Sequence, residues 1–494
     1  MGYSARGTSM LARHRPSRFH SGVFKPISVL RCLRLSLSIP TGSTLGTRRR
    51  AVCGTRSPGR YWPPTPSSVV MVRSDGSELF LYGELMTPQN GTHGGTKRIS
   101  DGGDYDLIVV GAGPSGSSFV GNLGSSAKRL RILWIEAKEF PRAKPCGDGW
   151  GPRAIQEIRR LGAMEAFLDG ETRRVQNVEL QLDERRFRIR NPLPFYVIPR
   201  RKGDLVLRDH VLASSAARYL DGVRVAQPLV VGDRVIGVRT QTGNKGDFTD
   251  YRARLIVDAS GVNSQVSKVL NLEKNDPVRT LQAARTYYRG IPGLNATAEV
   301  YYAKGVPGYF WIFPLSGEED VANVGVGGYR KFLREQEVSI RGLWDLFLGA
   351  FPDLKSRLEL AESDGRPNPW LLGLYDDVVG LQRPGVLFLG EATNLVEYST
   401  GGGLYFALRS GRAAAEVTSE YFATGGADDE ILKRYYDLCE KAFLPHLRFH
   451  PDRYQMAEKF SGSRRVRGGL AAASALSRAF YPLGRVVSKA RFGV

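Results

Sequence analysis

Leu107-Ile-Val-Val-Gly111-Ala-Gly113-Pro-Ser-Gly116 is a short apolar run that ends in a glycine-rich turn. Consecutive apolar residues without alternation mark a strand buried on both faces of a parallel sheet. A helix is expected to follow from Pro114 to about Leu123. In the Gly-x-Gly-x-x-Gly turn, Gly111 permits the tight bend and Gly113 lets a pyrophosphate approach the backbone. Gly116 lets helix and strand pack closely. Ala112, Pro114 and Ser115 complete the loop, and the helix start supplies N–H donors and the positive end of its dipole. The next apolar segment, Arg131-Ile-Leu-Trp-Ile135, leads into Glu136, 20 residues after Gly116. A carboxylate there accepts hydrogen bonds from the adenosine ribose hydroxyls, which predicts a Rossmann-type dinucleotide-binding unit. An acid at that position disfavours a 2′-phosphate, so FAD or NAD fits better than NADP.

Outward from this unit the texture changes. Residues 87–103 are polar and glycine-rich and read as linker. From about Val175 to Thr240, segments such as Val178-Glu-Leu-Gln-Leu182 alternate, as antiparallel strands do. Leu255-Ile-Val-Asp258 and Val386-Leu-Phe-Leu389 return to the buried-strand type. Residues 280–330 alternate again, and Gly403–Phe422 reads as a helix after a Gly-rich turn. Helical patterns continue to the end. A parallel nucleotide-binding sheet is thus interleaved with an antiparallel one, an α/β organisation.

The formal charge of +21 belongs mostly to the leader. Residues 1–74 hold thirteen Lys/Arg and no acid; the rest carries 57 bases against 49 acids, or +8. Two readings stay open: an organellar transit peptide, or translation that starts downstream at Met71 or Met86. Proline and glycine interruptions favour the second. The run lacks the aromatic interleaving that stacks bases, so no nucleic-acid partner is expected. Cys32, Cys53, Cys146 and Cys439 show no CxxC pairing or metal-ligand spacing, and no metal is expected. His446 and His450 are four residues apart but flanked by Pro445 and Pro451, with no acid partner evident. No stretch of about 18 apolar residues predicts a transmembrane helix. Residues 468–494 combine apolar and basic positions that suit either an anionic membrane surface or a solvated terminal helix. The expectation is a cytoplasmic protein, peripheral on a membrane if that segment docks there, with the transit-peptide alternative open.

Several ordered segments resemble the geranylgeranyl reductase family of FAD-dependent oxidoreductases. Phe140-Pro-Arg-Ala-Lys-Pro-Cys146-Gly147-Asp148-Gly149, with Pro152-Arg-Ala154, looks like its flavin-facing loop, and the Gly-Asp-Gly form resembles the menaquinone reductase branch. Asp258-Ala-Ser-Gly261 is similar to the segment beside the flavin. Gly390-Glu391-Ala392 with Thr400-Gly401-Gly402-Gly403 resembles the second flavin motif. Pro307-Gly-Tyr309-Phe-Trp311-Ile-Phe313-Pro314, with Gly325-Val-Gly327 beyond, resembles the Tyr-x-Trp-x-Phe-Pro signature of prenyl reductases. Halogenases of related ancestry carry Trp-x-Trp-x-Ile-Pro there. Tyr309, Trp311 and Phe313 should project from one face of a strand, forming an aromatic wall suited to an isoprenoid chain.

The resemblance implies FAD as cofactor and a p-hydroxybenzoate hydroxylase-like architecture. The FAD-binding pieces are expected at 104–173, 253–279 and 381–424, with a mixed β-rich segment at 174–252. The substrate domain is expected at 280–380, a helical region at 425–494, and leader and linker at 1–103. The implied activity is reduction of carbon–carbon double bonds in a geranylgeranyl or menaquinone-type chain. NAD(P)H or a reduced carrier protein would be the donor, since no second nucleotide-binding fold is visible. Cys146, Tyr309 and Trp311 are the implied catalytic group, and an FAD-contacting Arg maps to Arg200 with Asp204, Arg201 being a rival. Some positions depart from the family pattern: Glu391 for Asp, Tyr398 for Pro, Gly402 for Glu, Gly203 for a large apolar residue, and a longer gap between Pro314 and Gly325. The alternative is a flavin monooxygenase or halogenase acting on an aromatic compound.

Overall fold

The computed structural model describes residues 99–448 apart from 169–171, 244–246, 271, 273–278, 307, 316–319, 376–379 and 399. In a separate unit, the strands Met71–Val72 and Glu78–Leu79 pair antiparallel. The rest of the leader, His450 and the segment 468–494 lie outside the described residues.

The first sheet has a parallel centre in the order Val386–Phe388, Asp247–Asp258, Ile99–Val110, Ile132–Ile135, Arg218–Leu220. Both faces of its central strand are covered, which is why Leu107–Val110 is apolar throughout. Leu107 and Val109 pack in a cluster with Phe119, Val120 and the buried alanines Ala413–Ala415 of the long helix Leu404–Thr424. Ile108 and Val110 face Val225, Val235 and Val238, from the antiparallel strands Val223–Val231 and Arg234–Thr242. Each of these four core side chains is worth about 1.5–3 kcal/mol of burial.

The second sheet contains Thr280–Arg289, Val321–Tyr329, Gly308–Pro314, Thr297–Tyr302, Arg173–Leu182 and Arg185–Val197 in that order, with Asn368–Gly373 added beside the first. It is antiparallel except where Thr297–Tyr302 meets Arg173–Leu182. Its outer face is covered by helices Ile340–Ala350 and Pro352–Glu359, through Leu343, Phe347, Leu354 and Leu358 packed on Phe310 and Ile312. The α/β class and the interleaving of the two sheets follow the sequence pattern.

Two elements differ from it. The first strand begins at Ile99 within the supposed linker, because Ile99–Asp104 pair in parallel with Phe248–Arg252. A helix, Arg200–Ser214, lies within the segment 174–252 read as mixed and β-rich, where alternation predicts only strands. Its buried face is Arg200, Gly203, Asp204, Leu207 and Val211, at helical spacing. That face mixes charge, glycine and apolar residues, so hydrophobic periodicity conceals it.

Candidate active site

A cleft of about 1520 Å³ lies against the carboxyl ends of the parallel strands and the inner face of the second sheet. This is where open parallel sheets bind ligands. Its volume exceeds the roughly 300–1,000 Å³ usual for one small ligand, leaving room for a dinucleotide and a second molecule.

Gly111, Gly113, Pro114 and Ser115 line the cleft, while Ala112 and Gly116 stand behind its surface. A Cβ on Gly116 would lie 2.0 Å from the carbonyl oxygen of Gly111, the close helix–strand approach the motif requires. Glu136 lines the cleft; its Oε2 accepts the backbone N–H of Ala112 at 2.8 Å and its Oε1 that of Lys138 at 3.2 Å. These bonds tie the end of the second strand to the glycine loop and leave lone pairs over. Ser260, Gly261 and Gly401–Gly403 also bring main chain to the cavity.

Asp258 does not line the cleft. It is fully buried, its Oδ1 accepting the Ser260 N–H at 3.0 Å and its Oδ2 the Ser264 hydroxyl. It therefore shapes the Ser260–Gly261 turn from behind. Gly390 is likewise set back, whereas Glu391 lines the cavity and takes Lys144 Nζ on Oε2 at 2.6 Å. Arg200 lines it too and is buried, paired through Nε and Nη2 with the two oxygens of Asp204 at 2.6 and 2.8 Å. Arg201 is exposed and off the cleft. The large residue absent at Gly203 is replaced in space by Trp150, whose indole would sit 2.6 Å from a Cβ there.

Cys146, Gly147 and Gly149 line the cavity, and Asp148 between them is fully buried. Its Oδ2 accepts the Tyr287 hydroxyl and Asn323 Nδ2, each at 2.7 Å, and its Oδ1 the Arg200 N–H at 3.1 Å. Burial nonetheless pushes its carboxyl above the ordinary range. Asn323 is the hub: Nδ2 also donates to the Cys146 carbonyl at 2.8 Å, and Oδ1 accepts Trp311 Nε1 at 2.9 Å. One side chain thus holds the Cys146 loop and the aromatic strand in fixed relation. Burial pushes the Cys146 thiol above its ordinary 9.0, outweighing the pull of the Arg200 charge. The group is therefore a thiol, not a thiolate, at neutral pH.

Tyr309, Trp311 and Phe313 all face the cleft, with adjacent ring centroids 5.6 and 6.2 Å apart, while Phe310 and Ile312 enter the core behind. The Tyr309 hydroxyl donates to the Thr400 carbonyl at 2.5 Å, linking the wall to the Gly401 turn. Gly325 lies opposite Trp311 on the next strand, and a Cβ there would reach 2.1 Å from the indole. The indole lies where that side chain would be. Gly325→Ala is expected to displace Trp311 at a cost of about 1–3 kcal/mol, read as a lower melting temperature with altered Trp fluorescence. An unchanged melting temperature and spectrum would refute this packing.

Sequence reasoning missed Arg285, which lines the cleft, and Asn323 and Tyr287, which hold Asp148 and the Cys146 loop from behind it, all on strands whose motifs name none of them. The signal was present only as alternation, in Arg285–Tyr287 and Asn323–Gly325–Gly327.

No protein-family model matches the chain. A menaquinone reductase of Mycolicibacterium smegmatis is 30% identical over 343 residues, 66% of this chain and 78% of that one. Digeranylgeranylglycerophospholipid reductase 2 of Methanopyrus kandleri is 30% identical over 349 residues, 69% and 83% of the two chains. Among solved structures, a geranylgeranyl bacteriochlorophyll reductase-like protein from Thermoplasma acidophilum superposes with a TM-score of 0.63 at 20% identity, covering 79% of this chain and 99% of its own. The flavin-dependent brominase Bmp2 gives 0.58 at 21% identity, covering 79% and 90%. The two structural matches share the fold; it is the relatives at 30% identity, spanning more than two thirds of their own length, that decide the matter. The chain belongs to the geranylgeranyl reductase family of flavin-dependent oxidoreductases.

Proposed function

We propose that this protein is an FAD-dependent reductase that saturates carbon–carbon double bonds of a prenyl chain, on a geranylgeranyl lipid or a menaquinone. The observation that carries the reading is the Tyr309–Trp311–Phe313 wall, which faces the same cleft as the glycine loop and Cys146. An apolar chain lying on these rings would be desolvated next to a half-buried thiol, and the relatives' names point to the same substrate class.

The residues present suit FAD. Gly111, Gly113 and Ser115 offer main chain to a pyrophosphate, Glu136 keeps acceptor capacity for a ribose, and Glu391 and Gly401–Gly403 meet the cleft beyond Cys146. Bound and reduced, the flavin supplies the two electrons of the reduction. The protein does the rest. Tyr309 and Trp311 orient the alkene and exclude water from it. Cys146 Sγ holds a proton that it can give to the carbon left electron-rich, and Asn323 fixes the loop that carries it. The donor that restores the flavin is NAD(P)H or a reduced carrier protein, and a lipid substrate would bring the enzyme to a membrane surface. Among the described residues no helix is long and apolar enough to cross a membrane.

The test is anaerobic. The flavin-loaded full chain is reduced chemically and given geranylgeranyl diphosphate or a menaquinone. A mass gain of two hydrogens per double bond, with flavin reoxidised in step, is expected. No mass gain with either lipid, together with oxygen-dependent flavin turnover on an aromatic compound, would replace this reading with a monooxygenase.

A further inference from the structure

The inner face of the second sheet is chemically divided, and its register shows how. One row of cross-strand partners runs Asn368, Arg285, Gly325, Trp311; the row beside it runs Trp370, Ala283, Gly327, Tyr309. One side of the face is therefore aromatic and the other carries a guanidinium with an amide and an indole, separated by a strand of glycines. All of these residues except the two glycines line the cleft.

Arg285 is half-buried, and among the described residues no carboxylate lies within ion-pair distance of it. Its guanidinium stacks over the Tyr287 ring at 4.3 Å, and Nη2 makes a long 3.4 Å bond to the Lys144 carbonyl. Three other cations near the Cys146 loop are paired: Lys144 with Glu391, Arg200 with Asp204, and Arg142 with Asp204 and Glu136. The Arg285 charge acts on the buried Asp148 only from beyond ion-pair distance, that carboxylate is already bonded by Tyr287, Asn323 and the Arg200 N–H, and the buried Nε of Arg285 has no hydrogen-bond partner. A partly desolvated guanidinium so placed is stabilised by a ligand that supplies acceptor and charge. Its row offers the neutral Asn368 beside it, and Asp148, the acid whose charge it meets, is fully buried and does not line the cleft.

We infer that Arg285 anchors a headgroup subsite for a phosphate ester, placing the prenyl chain that follows across Trp311 and Tyr309. This rests on the proposed prenyl reduction and adds that the polar end is anionic. Arg285 is then a specificity-determining residue: a guanidinium matches phosphate oxygens in a way a neutral head does not exploit.

The experiment compares wild type, Arg285→Gln and Arg285→Lys holoenzymes on geranylgeranyl diphosphate and on geranylgeraniol, which has the same chain without phosphate. For Arg285→Gln, KM for the diphosphate is expected to rise about 10- to 100-fold, as for loss of a charged hydrogen bond. Lysine should recover part of this, and kcat/KM for the alcohol should change less than about two-fold, since the alcohol offers no anion to the site. Di-geranylgeranylglycerol phosphate in micelles identifies the source: whichever phosphate ester has the lower wild-type KM and the larger loss is the one the site fits. Equal losses on ester and alcohol, or loss of bound flavin in Arg285→Gln, would overturn the assignment. Calorimetric binding of the diphosphate and the alcohol to oxidised holoenzyme is measured in parallel. A diphosphate preference that Arg285→Gln abolishes supports the subsite even if no double bond is reduced, which would sink only the reductase reading. No such preference in wild type sinks the subsite even if reduction proceeds.

Discussion

Cys146→Ala is expected to slow double-bond reduction by about 10²–10⁴-fold, the usual contribution of a positioned proton donor, while flavin stays bound. The thiol lines the cleft beside the aromatic wall and is held protonated by burial. The main-chain bond that fixes the loop, Asn323 Nδ2 to the Cys146 carbonyl, does not involve the thiol and survives the substitution. Loss of activity with intact flavin absorbance would therefore report the proton and not the fold. The pH profile gives a second readout. Because burial raises this thiol above 9.0, the donor keeps its proton as pH rises through neutrality. Turnover of the wild type should stay level from about pH 6 to about pH 9 and fall only above that range, as expected for an acid that must be protonated. A rate that already declines below about pH 8, or a Cys146→Ala enzyme as fast as wild type, would remove Cys146 from the chemistry.

Gly116→Ala is the second large effect, and it acts through the backbone. The added methyl would stand 2.0 Å from the Gly111 carbonyl oxygen and 3.1 Å from its carbon. No rotamer relieves a clash with main chain, so the helix Pro114–Asn122 must move off the strand. The same carbonyl accepts Trp134 Nε1 at 3.0 Å, and Gly111 and Gly113 line the cleft, so the shift opens both the core and the cofactor loop. We expect protein that purifies without flavin and loses about 2–3 kcal/mol of stability or more. Ser117→Ala, one residue further along the same helix, is the control. Its hydroxyl makes only a 3.3 Å bond to the Ala112 carbonyl, so flavin should be retained. A yellow, stable Gly116→Ala protein would mean that this approach is not needed for cofactor binding.

Much of this molecule was legible in its sequence because the deciding signals are local. A strand buried on two faces must be apolar at every position, so Leu107–Val110 announced the parallel sheet without reference to anything distant. The glycine spacing and Glu136 followed from how closely a pyrophosphate and a ribose approach the chain. Alternation alone put Tyr309, Trp311 and Phe313 on one face, and there they stand. What the sequence left open depends on contacts between remote segments. The helix Arg200–Ser214 turns a guanidinium, a glycine and a carboxylate inward: Asp204 takes the Arg200 guanidinium, Trp150 fills the space at Gly203, and Arg142 pairs with the Asp204 carboxylate. No periodicity of apolar residues reveals that. Asp258 carries a family motif, yet its carboxylate is spent on Ser260 and Ser264 behind the cleft. Asn323 and Arg285 matter through cross-strand register, which sets Asn323 beside Phe313 and Tyr287 and Arg285 across Gly325 from Trp311. Register fixes which side chains meet, and it is settled only when whole strands pair. Local chemistry therefore determined the cofactor fold and the aromatic wall, while the tertiary structure decided which polar groups hold that wall in place and that the Arg285 guanidinium faces the cleft with no carboxylate in ion-pair reach among the described residues.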